Sequence, residues 1–85
     1  MIAYKGVGAD NRGYYSGFDT GVRYELGKTY QKNFELSEWH GDGFYFGDKI
    51  EAKLWAKKYK GVILMVDVDG ILGNRAKIMT VIKEI

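Results

Sequence analysis

The sequence predicts a small α+β domain: one twisted, mostly antiparallel sheet of about five strands, with one main helix over 48–60 packed on it. Three observations carry this reading. Short apolar segments with strand-like patterning recur along the chain, bounded by glycines. One segment, 48–60, has helical periodicity together with start and stop signals. The chain has 85 residues, no cysteine and no proline, so residues 1–85 form one domain whose core must hold without disulfides. A content of 46% hydrophobic and 15% aromatic residues can supply that core and argues against disorder.

Ile2-Ala3-Tyr4-Lys5-Gly6-Val7 alternates weakly and ends at a glycine, as a first strand would. Gly8 to Thr20 is rich in Gly, Asp, Asn and Ser, with Tyr14 and Tyr15 adjacent, and reads as a loop or a pair of tight turns folded back onto the body. Val22, Tyr24 and Leu26 alternate with Arg23 and Glu25, which predicts a half-buried strand. Gly27-Lys28 then marks a turn and Thr29-Tyr30-Gln31 a short strand. Asn33 to Asp42, with Phe34, Leu36 and Trp39 among polar residues, has the spacing of one helical turn. Gly43-Phe44-Tyr45-Phe46-Gly47 reads as a short aromatic strand.

The helix signal follows directly. Asp48 is a good N-cap, and Glu51 three residues on has the spacing of a capping box. Lys57, Lys58 and Lys60 suit the negative end of the helix dipole, and Gly61 is placed to end the helix. At 100° per residue, Ala52, Trp55, Ala56 and Tyr59 share one face, and Lys49, Lys53, Lys57 and Lys60 share a neighbouring one. Val62-Ile63-Leu64-Met65-Val66 is an unbroken apolar run, expected as a central strand covered on both sides. Alternation returns at Asp67-Val68-Asp69-Gly70, and Ala76 to Ile85 reads as a last strand after the turn Gly73-Asn74-Arg75.

The charge balance is too small for electrostatics to dominate binding to a polyanion, since 13 basic and 11 acidic residues leave a net +2. Basic character is concentrated in the second half, which holds the lysine stripe. No apolar run approaches the roughly 18 residues of a membrane span, and the first residues do not resemble a secretion signal. The expectation is a soluble cytoplasmic protein that does not engage membranes.

Candidate reactive groups are few. Ser16 and Ser37 lack a nucleophile context, and the single histidine, His40, beside Trp39 and Asp42, has no catalytic partner set. Asp67 and Asp69, two apart on a strand, point to one face but lack the further ligands of a calcium loop. No phosphate-binding motif, metal cluster or cofactor fingerprint is present, so no catalytic residue, metal or cofactor is assigned. Arg12, Tyr14 and Tyr15, with Tyr45, are candidate walls of a site for a nucleotide-like small molecule. The stripe of Lys49, Lys53, Lys57 and Lys60 is the candidate partner-binding surface, and lysines without arginine favour steering by point charge.

Two resemblances rest on these residues. Tyr4-Lys5-Gly6, then Tyr24-Glu25-Leu26-Gly27-Lys28-Thr29-Tyr30, then Gly43-Phe44 followed by Tyr45, then Val66 to Gly70, and Lys77-Ile78 in the last strand, together resemble a family of short, uncharacterised bacteriophage proteins, and the likeness runs along most of the chain. It implies an accessory protein of a phage or mobile element and brings no activity with it. Gly43-Phe44-Tyr45-Phe46, followed by a helix with Ala52, Trp55 and Ala56 and the strand from Val62 to Val68, is similar to the middle of ADP-ribosyltransferase-like domains. That likeness implies a related core geometry. Where those domains carry Arg or His on the first strand this chain has Lys5, and the late-strand acid would be Asp67 or Asp69. Three functions remain open. The first is a non-enzymatic inhibitor of a host defence system, comparable to anti-CRISPR proteins, that binds a host protein or ribonucleoprotein complex. The second is a binder that sequesters a nucleotide-derived signal, and the third a minimal ADP-ribosyltransferase using Lys5, Tyr45 and an aspartate. Strand edges on so small a core also make a homodimer an expectation.

Overall fold

The computed structural model describes residues 1–17, 19, 21–39 and 41–85. The described elements are β1 (Ile2–Asp10), β2 (Gly13–Tyr15), β3 (Thr29–Gln31), β4 (Phe44–Tyr45), α1 (Lys49–Tyr59), β5 (Val62–Leu72) and β6 (Arg75–Glu84). They form one antiparallel sheet in the order β2-β1-β5-β6-β3, with β4 also paired to β6. The α+β architecture of a sheet and one helix is therefore the observed one.

The two long strands β5 and β6 make the central hairpin. Leu72 pairs with Arg75 across Gly73-Asn74, and Gly73 takes φ 64°, the sign that a type II′ turn requires at its first central position. β1 lies on the other side of β5, pairing Ala3 with Val66 and Lys5 with Leu64. Successive side chains on β1 point to opposite faces, and the two faces are covered differently. Ala3 and Val7 join Leu64, Val66, Val68, Met79 and Val81 in the buried core. Tyr24, Tyr30 and Phe44 close this face as three edge-to-face rings, with centroids 4.9 to 6.3 Å apart. Tyr24, from the segment before β3, together with Tyr30 of β3 and Phe44 of β4, thus roofs the core in place of a second sheet or helix.

Gly6, on the opposite face of β1, receives the helix. A Cβ there would stand 2.0 Å from the Ala52 carbonyl oxygen and 2.5 Å from the Ala56 nitrogen, so the absence of a side chain lets the helix backbone rest on the strand. Ala52 and Ala56 are the buried positions of α1, while Trp55 and Tyr59 are half-buried. Asp48 caps the helix by accepting from the Glu51 amide at 2.8 Å.

Several expectations need correction. The segment from Gly8 is no mere loop: β1 runs on to Asp10 and turns back as β2, pairing Gly8 with Tyr15, because pairing satisfies backbone groups that a loop would leave to water. Val22 to Leu26 is not a strand. Only Tyr24 makes a bridge, to Tyr14, and Leu26 is exposed. The one buried tyrosine anchors the segment, and Gly27 at φ 83° turns it into β3. Among the described residues of 33–42 there is no helical turn. Ser37 and Asp42 instead close the segment, the Ser37 amide donating to Asp42 Oδ1 at 3.2 Å.

The aromatic strand narrows to Phe44–Tyr45, with Gly47 bridging Tyr4. β5 is central, yet Ile63 and Met65 stay half-buried while Leu64 and Val66 are fully buried. A helix of 11 residues, about 16 Å long, cannot cover that whole face. At the helix end the left-handed residue is Lys60 (φ 54°), not Gly61. A Cβ on Gly61 would lie 1.8 Å from the Val7 carbonyl oxygen, so this glycine serves a close backbone approach.

Candidate functional site

Lys5, expected on the first strand, lies inside the molecule. It projects from β1 into the core and is 4% exposed. Its ammonium pairs with Asp19 at 2.5 Å, and donates to the Tyr45 carbonyl oxygen at 2.5 Å. The Tyr24 hydroxyl donates to the same carboxylate oxygen that meets Lys5, Asp19 Oδ2, at 2.5 Å, and the Tyr45 amide donates to Asp19 Oδ1 at 3.3 Å. Burial holds the Lys5 pKa below its ordinary value, with Asp19 opposing that shift. Burial and the neighbouring carboxylate push the Tyr24 phenol far upward. Every polar atom in this network has a partner, which is what a buried charge needs to be tolerated. Its effect is to tie residue 19 and β4 to β1. Arg75 does the same for the segment before β4, pairing with Asp42 Oδ1 at 2.8 Å.

Beside Lys5 lies a cavity of about 130 Å³, with Tyr4, Tyr45, Phe46, Glu51 and Trp55 among its walls. Pockets for drug-sized ligands begin at about 300 Å³, so this one has the size of a single ring. The aspartate that meets Lys5 is Asp19. Asp67 lies elsewhere, paired with the Met1 ammonium at 2.9 Å, and Asp69 accepts from the Gly70 amide at 2.8 Å.

The structure does not gather Arg12, Tyr14, Tyr15 and Tyr45 into one wall. Arg12 is exposed at the tip of the β1–β2 hairpin, where its amide donates to Asp10 Oδ1 at 2.8 Å. Tyr14 and Tyr15 are consecutive strand residues and point to opposite faces. Tyr14 reaches Glu84 at 3.2 Å, whereas Tyr15 packs edge-on against Tyr59, with ring centroids 6.1 Å apart. Only Tyr45 lines the cavity. His40 lies outside the described residues.

Lys49, Lys53, Lys57 and Lys60 are all exposed, and none of the four forms an ion pair with a described residue. Lys49 lies 6.0 Å from the Tyr4 ring centroid. Three of them, Lys53, Lys57 and Lys60, edge an open groove of about 520 Å³, with Ala56, Val62, Ile63 and Ile85 also lining it. The wheel locates the lysines together, but only the tertiary structure sets the apolar strand residues beside them. Ile50 and Leu54, 76% and 66% exposed, were legible on the same wheel as residues opposite Ala52 and Ala56. The aspartate expected beside Lys5 was Asp67 or Asp69; that it is Asp19 had no sequence signal, because the two residues meet only in the folded chain.

No described helix is long and apolar enough to cross a membrane, and no group of three metal-ligating side chains occurs among the described residues. Searches against family models, curated proteins and solved structures find nothing that matches this chain.

Proposed function

We propose that this protein is a non-enzymatic accessory protein of a phage or mobile element, acting in the host cytoplasm by binding a host protein or ribonucleoprotein complex, as an inhibitor of a defence system would. The observation that carries the reading is the row of four exposed lysines on α1 and its C-cap, without carboxylate partners among the described residues. Lys5, Arg23, Lys28, Arg75 and Lys77 each pair with a carboxylate, and the other cations without one among the described residues, Arg12, Lys32, Lys58 and Lys83, do not form such a row. A row left unpaired on a rigid helix is suited to steering an acidic surface into contact. The test is affinity capture from host lysate with the wild type and with Lys49, Lys53, Lys57 and Lys60 changed together to Glu, alongside a phage-defence assay. Loss of the captured partner and of the phenotype in the variant supports the reading. Identical behaviour of both proteins overturns it.

A second reading, a small-ligand binder, is favoured by the cavity beside Tyr45. Its dimensions fit one aromatic ring of a nucleotide-derived signal rather than a whole dinucleotide. Thermal shift against nucleosides, cyclic nucleotides, NAD and ADP-ribose tests it, and a melting temperature unmoved across the panel removes it.

A further inference from the structure

Resting on that reading of the lysine row, we infer that the groove between α1 and the β5–β6 end of the sheet is the docking site, and that its occupant is an acidic peptide segment bearing apolar side chains. The groove combines two features. Lys53, Lys57 and Lys60 edge it, and Ala56, Val62 and Ile63 give it an apolar lining with Ile85 at one end. Ile63 and Val62 are half-buried and Ile85 is 44% exposed. Apolar surface therefore remains for a partner to cover. The volume of about 520 Å³ is within the range of built ligand clefts and accommodates a few side chains rather than a whole domain.

Charge and shape together choose this occupant. A polyphosphate backbone would meet the lysines, but it has nothing to set against aliphatic side chains, and no arginine lines the groove to grip phosphate bidentately. A lipid surface needs apolar groups that protrude, whereas these lie recessed beside the helix. A second copy docked through the same patch would bring two lysine rows into one interface with no acidic side chain in the lining to meet them. An acidic segment with Leu- or Ile-like side chains satisfies both features at once.

The probe is a short fluorescein-labelled peptide of glutamates with leucine at every third or fourth position. An all-glutamate peptide, a DNA duplex and phosphatidylserine-containing vesicles serve as comparisons. Binding is followed by anisotropy and by amide chemical shifts. The expected result is shifts confined to residues around 53–63 and 85, and affinity for the leucine-bearing peptide about tenfold above that for the all-glutamate one, a difference of about 1.4 kcal/mol. Changing Lys53, Lys57 and Lys60 to Glu, or Ile85→Ser alone, weakens binding, and Ile50→Ser with Leu54→Ser on the outer helix surface leaves it unchanged. Absence of binding, shifts elsewhere, or equal or better binding of duplex or vesicles overturns the inference. If the peptide fails while charge reversal still abolishes host capture, the groove assignment falls and the proposed function stands. If the peptide binds as expected while charge reversal leaves host capture intact, the proposed function falls and the groove remains.

Discussion

Lys5 and Lys53 are the same residue type used in opposite ways. Lys5 is enclosed and has a carboxylate, a carbonyl and a ring around it, the Tyr24 centroid lying 5.5 Å from its ammonium. Lys53 is exposed at the edge of an open groove, and no described carboxylate pairs with it. Where the fold supplies the counter-charge, a lysine organises structure. Where it does not, the charge is left for another molecule. The contrast also separates the two sides of β1: Lys5 faces the aromatic roof, while Gly6 carries the helix that bears the exposed row.

The comparison is broken most severely by Asp19→Ala. Removing one member of a buried ion pair leaves the other uncompensated and costs about 3–5 kcal/mol, to be read from urea unfolding. Joint replacement, Lys5→Met with Asp19→Leu, should recover a large part of that loss. A loss under about 1 kcal/mol in the single variant would mean that the pair does not hold residue 19 to β1. Next is Gly61→Ala, which sets a methyl group against the Val7 carbonyl and should cost about 1–3 kcal/mol through overpacking. An unchanged melting temperature would show that the helix end can move away freely.

Tyr24 sharpens the comparison through pH. Its phenol is held protonated by burial first and by Asp19 second, so above about pH 10 the folded chain binds more protons than the unfolded one. Stability should therefore decline as pH rises through and beyond that value. Lys5, whose pKa is lowered by burial, acts in the opposite sense, but only up to its ordinary value of about 10.4. Tyr24→Phe should flatten the decline, and a parallel pH profile for the two proteins would refute the assignment. The smallest effect is expected on the helix. Lys53→Gln and Lys57→Gln should each change stability by no more than about 0.5 kcal/mol, while weakening capture by an acidic partner. A larger loss of stability would place those lysines among the structural ones.

The helix was legible because its determinants are local. Asp48, the alternation of Ala52 and Ala56 with lysines, and the cationic end lie within a few residues of one another, and capping and periodicity act at that range. The lysine row was legible for the same reason. The strand expected at Val22 to Leu26 failed because alternation only says that a segment can pair, and neighbours in space decide whether it does; here the segment's backbone is bridged at Tyr24 alone, to Tyr14. Tyr14 and Tyr15 could not be placed at one site from composition, since strand pairing sends them to opposite faces.

The chain's own pattern thus determined that there would be one helix of this length, an antiparallel sheet, and a face of the helix carrying four lysines. Those properties follow from short-range geometry and from the need to bury apolar side chains. Tertiary structure alone decided that Lys5 would meet Asp19, that Gly6 and Gly61 would receive backbone, and that Ile63 and Ile85 would stand beside Lys53. Each of those joins residues far apart in sequence, and such a meeting is set by how the elements stack, which no local pattern encodes.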